Sequence, residues 1–539
     1  LKKLNSNNER VEMINTAFVL DLTWEDKLNE IKELAKITKA DIVKFANSFY
    51  KDNYVVVYKK QAEDKLLREK VSKPSITPLD VPKDNKSAFF KAFNSSNNPE
   101  LISPLFVDYN TEISKSKLES GIDFFYHKNE TNELFTLILN VPIGSYHNAL
   151  LPLAAKQFKL LGTSRYEARE LAQEMYKIGM DYSISVGQKD SYISITGLTS
   201  EIGKSMVLFQ DILKNLQPNQ KVADLLINKT LQHRDNILKN PEQLLWNGLQ
   251  QYAVFGEVSP LRNELSNESL KKITSKKLLD VLKQLFSYKK DILYYGSLPK
   301  QKIITELDNI FNEKSIELPK FKSYNRLSMT EDKVYVLDYD LKQAEILMLN
   351  KGTTFNKKEI AAIKVFNEYY GGGMSSIIYQ EIREKKALAY SSFAAYTSAI
   401  DTIKPQYTFG YLGTQSDKSI EAIESMLELL KDMPVDTLKF EQAKSSIKQR
   451  LASNRTTRSD KLYSFMADKK LGYTYSKEKD IYDMLDSLGI NDMLTFYKEK
   501  IANNKYTIII LGNVKDLDMK SLSKFGKVKV LQVADLFPY

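Results

Sequence analysis

Three stretches of the chain share one hydrophobic pattern: apolar residues at helical spacing, a Tyr/Phe and Lys/Asn turn, then a β-branched or aromatic run. They are ITKADIVKFANSFYKDNYVVVYKK (37–60), ITSKKLLDVLKQLFSYKKDILYYGS (273–297) and LGINDMLTFYKEKIANNKYTIIILGN (488–513). Each predicts a helix running into a strand. A second pair, GLTSEIGKSMVLFQDILKNLQP (197–218) and YLGTQSDKSIEAIESMLELLKDMP (411–434), predicts a strand end, a polar turn and an amphipathic helix. In both cases the later copies lie about 215 residues apart, an offset that chance rarely produces twice. The chain therefore reads as two full modules, preceded by only the tail of another.

Within each full module, early strands are expected in GIDFFYHK and LFTLILNVP (121–142), and in KVYVLDY and AEILMLNKG (333–352). Later ones are expected in 182–198 and 389–413. Adjacent strands with short polar joins imply an antiparallel-rich sheet, with helices packed on one face. The fold class is α+β. The expected division is a module tail at 1–60, a linker or hinge at 61–115, a first module at 116–312, a connector at 313–330 and a second module at 331–539. Pro74, Pro78 and Pro82 oppose a regular helix in the linker and favour an extended tether.

One segment carries candidate chemistry: NEYYGGGMSSIIYQEIREKKALAYSSFAAY (367–396). Helix formers run from Met374 to Lys386, with Ile377, Ile378 and Ile382 on one side. From Tyr390 the period becomes two, so Tyr390, Ser392, Ala394 and Tyr396 are expected to share a face, with Phe393 and Ala395 opposite. Arg383 then ends the helix and Tyr390 opens the strand, within reach of one cleft wall. Gly371–Gly373 suit a tight approach of strand to helix better than a phosphate cradle.

This segment closely resembles the signature of the last domain in the pitrilysin/insulinase, or inverzincin, metallopeptidases. The resemblance extends over essentially the whole chain and implies paired homologous α+β domains forming half of a clam shell. It also implies that Arg383 and Tyr390, in the R-E-K-x-x-L-A-Y pattern, contact a bound peptide opposite a catalytic zinc. Ala387 departs from that pattern, where family members often carry glycine. The family's zinc motif, H-x-x-E-H, is expected on a helix that a Gly-Thr follows. Counted back from Gly162-Thr163, its positions fall on Leu153, Lys156 and Gln157. Leucine offers no donor atom, lysine is a cation and glutamine is a poor zinc ligand. The first module is thus expected to be a degenerate repeat that binds no metal. Aligned with the second, it keeps Tyr182 but has Met175 at the position of Arg383.

Composition narrows the alternatives. Zero cysteine among 539 residues excludes disulfides, thiol catalysis and Cys-ligated zinc. The three histidines, His127, His147 and His233, are never paired at ligand spacing. The formal charge of +10 is spread through Lys/Glu-rich helices, without the basic and aromatic stripe of a nucleic-acid binder. No apolar run approaches the length of a membrane span. The chain opens LKKLNSNNER without an initiator Met or signal peptide, which with the truncated front module suggests a piece of a longer polypeptide or a nicked chain.

What the resemblance implies for function is the non-zinc half of a zinc metalloendopeptidase. On its own the chain is expected to be inactive. Zinc and H-x-x-E-H would come from an N-terminal portion or a companion subunit, the substrate would be a peptide or small unfolded protein, and the location the periplasm or cell envelope. The alternative is a non-catalytic binding or scaffold subunit of a larger complex.

Overall fold

The computed structural model describes residues 6–60, 87–95 and 102–539. Residues 1–99 and 100–539 form two units.

In the first unit, helices Asn7–Val19, Trp24–Leu34 and Lys39–Phe49 follow one another. Thr23 and Thr38 open the second and third with capping boxes closed by Asp26 and Asp41, satisfying the free N–H groups of the first turn. The expected helix of the 37–60 repeat is present. Its strand is not: 53–60 joins no sheet among the described residues, and Val55 is 90% exposed. A β-branched run needs a neighbouring strand to become a ladder, and none lies beside this one. Most of the expected linker, at 61–86 and 96–101, lies outside the described residues; helix Ala88–Ser95 falls between.

The second unit contains two mixed six-stranded sheets. The first is built from β1 (Ser114–Lys117), β2 (Asp123–Lys128), β3 (Leu134–Val141), β4 (Asp181–Val186), β5 (Ser191–Leu198) and β6 (Asp291–Gly296), in the order β1-β2-β6-β3-β5-β4. The second is built from β7 (Lys333–Asp338), β8 (Gln343–Lys351), β9 (Ala389–Tyr396), β10 (Tyr407–Gln415), β11 (Thr507–Gly512) and β12 (Lys527–Leu531), in the order β12-β7-β11-β8-β10-β9. Five strands correspond one to one. In both sheets the pair formed by the first and last of these five, β2–β6 and β7–β11, is parallel, and the other pairings among the five are antiparallel. The sixth strand differs. β1 precedes β2 and lies antiparallel to it, whereas β12 follows β11 and lies parallel to β7.

Helices cover one face of each sheet, as the alternation predicts. Phe124, Leu137, Leu139, Ile292 and Tyr294 turn into the first core, and Val334, Ile346, Met348, Ile508 and Ile510 into the second. The opposite faces are not left to water. Helical residues 244–255 of the first module lie on the second sheet, where Leu244, Leu245 and Leu249 meet Leu347, Leu349, Ile509 and Leu511. Helix Asp460–Lys469 of the second module lies on the first sheet, where Leu462 and Met466 meet Phe125, Ile138 and Leu293. The modules exchange arms, which is why inner strands such as β6, β8 and β11 read as nearly continuous apolar runs.

Residues 107–113, within the expected linker, are packed, and β1 begins at its end. Tyr109 N–H donates to the Thr474 carbonyl at 3.1 Å, Tyr109 Oη–H to Asp468 at 2.8 Å, and Ser476 N–H to the Val107 carbonyl at 2.8 Å. Two apolar side chains, Val107 and Tyr109, anchor the stretch to the core beneath helix Asp460–Lys469. The connector at 313–330 is irregular and strapped down, with Lys322 N–H bonded to the Tyr146 carbonyl and Leu327 N–H to that of Val254.

Candidate functional site

The glycine-rich turn brings the helix of residues 360–371 against β9. A Cβ on Gly371 would stand 1.5 Å from the Ala394 carbonyl oxygen, so only glycine permits this approach. Asn367 clamps the same strand from both sides of its amide: Nδ2 donates to the Tyr396 carbonyl at 2.9 Å and Oδ1 accepts from Tyr396 N–H at 2.8 Å.

The expected helix is shorter and wider than its periodicity suggests. Residues 374–376 are turn, and Tyr379–Lys385 forms a π-helix, with Lys386 N–H bonded five residues back to the Glu381 carbonyl. Ile377, Ile378 and Ile382 are buried together as expected. The chain then turns through Ala387, whose φ of 49° lies in the left-handed region. Leu388 N–H returns to the Ile382 carbonyl at 3.0 Å, and Thr414 Oγ1–H donates to the Leu388 carbonyl at 2.5 Å.

β9 does not alternate throughout. Ala389 pairs with Thr414 and Ser391 with Gly413, leaving Tyr390 as the extra residue of a β-bulge. Ser392, Ala394 and Tyr396 face the core as expected, but Tyr390 leaves their face and is 76% exposed. The bulge re-aims one side chain, and it aims it at Arg383. The guanidinium carbon of Arg383 lies 5.2 Å from the Tyr390 ring centroid and 4.8 Å from that of Tyr379. Sequence reasoning had missed Tyr379, although its place four residues before Arg383 on a helix was a usable signal. The nearest carboxylate oxygen to Arg383 is that of Glu384, 3.8 Å from Nε, while Glu381 is taken by Lys385. The cation thus rests on two aromatic faces and keeps N–H groups available to an acceptor.

Sheet register corrects the alignment that set Tyr182 beside Tyr390. Tyr182 pairs with Ile195 and Ile195 with Leu137; Ser392 pairs with Leu412 and Leu412 with Ile346. Leu137 and Ile346 hold the same place in their sheets, so Tyr182 corresponds to Ser392. It is a core residue, 3% exposed, packed edge-on against Phe158 with its hydroxyl toward the Phe158 carbonyl. β4 carries no bulge, so the first module has no counterpart of Tyr390.

The positions expected to be degenerate lie on helix Leu151–Phe158. Leu153 is buried in the core. Gln157 is fully buried, accepting from Ser275 Oγ–H at 2.8 Å and donating to the Ser275 carbonyl at 3.3 Å. Lys156 is exposed. This set does not fit zinc: one member has no donor, one is a cation, and the third spends both amide atoms on Ser275. Among the described residues no group of three or more His, Asp or Glu side chains could hold a metal ion. His127 bonds the Glu112 carbonyl through Nδ1, and burial lowers its pKa. His147 Nδ1 accepts from Gly144 N–H, and burial lowers its pKa too. Among the described residues no helix is long and apolar enough to cross a membrane.

Comparison with known proteins bears on the fold. A family described as the peptidase M16 inactive domain matches residues 272–447. An uncharacterized zinc protease of Rickettsia felis is 22% identical over 427 residues, covering 74% of this chain and 97% of that protein. A solved peptidase M16 inactive domain from Pseudomonas fluorescens superimposes with a TM-score of 0.60 at 16% identity, covering 75% of this chain and 98% of that one. The periplasmic protease PqqL of Escherichia coli gives a TM-score of 0.62 at 13% identity; the match takes in 94% of this chain and 56% of PqqL. With its two α+β modules the chain has the fold of solved M16 domains, and over residues 272–447 it is similar to the M16, or pitrilysin-family, inactive domain; the curated relative is named a zinc protease.

Proposed function

We propose that the chain is the non-zinc half of a zinc metalloendopeptidase, enclosing and orienting peptides for hydrolysis at a zinc site on another portion or a companion subunit. The observation that carries this reading is the Arg383–Tyr390 pair, a cation on an exposed tyrosine that a bulge turns out of its sheet. A scissile carbonyl gains negative charge as it is attacked. A guanidinium and a phenol placed at that oxygen, or on the neighbouring carbonyls, hold the chain and stabilise the charge. The exposed valines at 55 and 57 suit a strand whose sheet is supplied by the zinc-bearing portion. The PqqL likeness favours an exported, cell-envelope location.

The test is native mass spectrometry of the protein from its source, with zinc quantified, followed by kinetics of the assembly. A companion carrying H-x-x-E-H and about one zinc is expected. Arg383→Ala then lowers kcat/KM by about 10²- to 10³-fold without weakening assembly. An unchanged rate would remove the pair from the mechanism. The alternative, a binding or scaffold subunit, draws on the loss of every donor from the motif helix. It would be favoured by a stable complex that contains no zinc-bearing chain.

A further inference from the structure

The edge of the first sheet carries a second recognition site. Edge strands are usually guarded by bulges, prolines or outward lysines. β9 has its bulge and β12 has Lys527 and Lys529, but β4 pairs regularly along its whole length, from Asp181↔Thr196 to Val186↔Ser191. As the last strand of its sheet it pairs on one side only, so the backbone groups of alternate residues form a template along its outer edge. Beside it runs helix Leu151–Phe158, and between the two lies a groove of about 420 Å³. Ile184, Val186, Pro152 and Ala155 give it apolar walls, and Lys156 and Lys159 are its charged members. No acidic side chain lines it.

Lys159 is held 3.5 Å from Asp181. Lys156 has no ion-pair or hydrogen-bond partner among the described residues. Pro152 and Lys156 also line a second cavity of about 450 Å³, whose other lining residues include His233 and Arg234. The acid there, Glu264, is already bound by Arg234. The lysine stands where the motif of the resembling peptidases has its glutamate, so the charge facing the groove is reversed. A carboxylate at that place works on water; an ammonium attracts a carboxylate.

We infer that the groove between β4 and helix Leu151–Phe158 takes up an extended acidic peptide as an added strand, with Lys156 as the receptor for its carboxylates. Strand addition supplies affinity through the backbone, and the charge of alternate side chains supplies selectivity. This goes beyond the Arg383–Tyr390 reading and needs neither zinc nor a companion. The probe is a fluorescein-labelled decapeptide alternating Thr and Glu, titrated by anisotropy against the 539-residue chain, beside a peptide with Lys for every Glu. The Glu peptide is expected to bind at least tenfold tighter, and Lys156→Glu to reverse that order. Because Lys156 is exposed, the variant keeps its fold, and Lys156→Gln gives an intermediate check. Methylating alternate peptide nitrogens should abolish binding. A photoreactive residue at the peptide centre should label 181–186 or 151–159. Labelling of β9, equal binding of the two peptides, indifference to Lys156→Glu, or no binding would each overturn the inference.

Discussion

β4 and β9 are the same strand of the same fold, at the same edge of their sheets, and they present opposite surfaces. β4 is regular, with Tyr182 turned inward against Phe158. β9 inserts one residue, and that residue carries a tyrosine outward onto an arginine. The contrast shows how little of a module must change to give or remove a site. Neither core differs in kind; the difference is one bulge, one π-turn and the residues within them. Bulges and π-turns both cost regular hydrogen bonding, and here they fall together in one short segment.

The largest expected effect lies at the approach that seats β9. Gly371→Ala places a methyl inside the Ala394 carbonyl contact and should cost at least about 4 kcal/mol, read as lost soluble yield or a lowered urea midpoint. A mild effect would mean that β9 can retreat, and that the segment is less fixed than β4. Next come the exchanged arms. Leu245→Ala and Leu462→Ala remove equally buried leucines from the two crossings, each at about 3 kcal/mol, within one cooperative denaturant transition. Two separate transitions would show that the modules unfold independently.

A third comparison sets Lys290 against Tyr506, the residues before β6 and β11. Lys290 is 5% exposed over the Phe311 ring, and burial lowers its pKa to about 8; Tyr506 is buried with its hydroxyl on the Ile501 carbonyl. Between about pH 8 and 10.5 the unfolded chain holds the Lys290 proton and the folded one releases it, so stability should rise through that window, by on the order of 3 kcal/mol. Lys290→Met should remove the rise; a rise that persists assigns it to other groups. The smallest effect is at Ala387. Glycine there relieves a left-handed φ and should stabilise by about 1 kcal/mol, visible as a higher Tm with Arg383 undisturbed.

Local periodicity made most of this fold legible. β2, β3, β5 and β6, and β7, β8, β10 and β11, lie where alternation or apolar runs put them, and the repeat offset is reproduced by β6 and β11. What escaped had no local signal, or one that was not read. β1 is SKSK, four residues with nothing apolar to alternate, ordered only by its pairing with β2. β12 is KVKVL, whose alternation was a readable strand signal. The strand expected at 53–60 has the right residues, but strand residues without a neighbour do not make a sheet. At the site, Arg383 and Tyr390 were legible as a pair, yet the bulge that joins them was not. It depends on how Gly413 and Thr414 meet β9, and pairing across a sheet is not written in one strand's own pattern. The alignment of Tyr182 with Tyr390 was two residues out of register, of which the inserted residue accounts for one. Tyr379 needed only the helical spacing to Arg383.

The exchanged arms also set an order of events during synthesis. Leu244, Leu245 and Leu249 leave the ribosome long before the sheet that receives them, whose central strand ends at Gly512. At translation speeds of roughly 5–20 residues per second, this greasy ridge waits on the order of 10–50 s for its cover. The nascent chain therefore carries this apolar ridge uncovered from Phe255 until Gly512 is made, and a translational pause after Phe255 lengthens the wait.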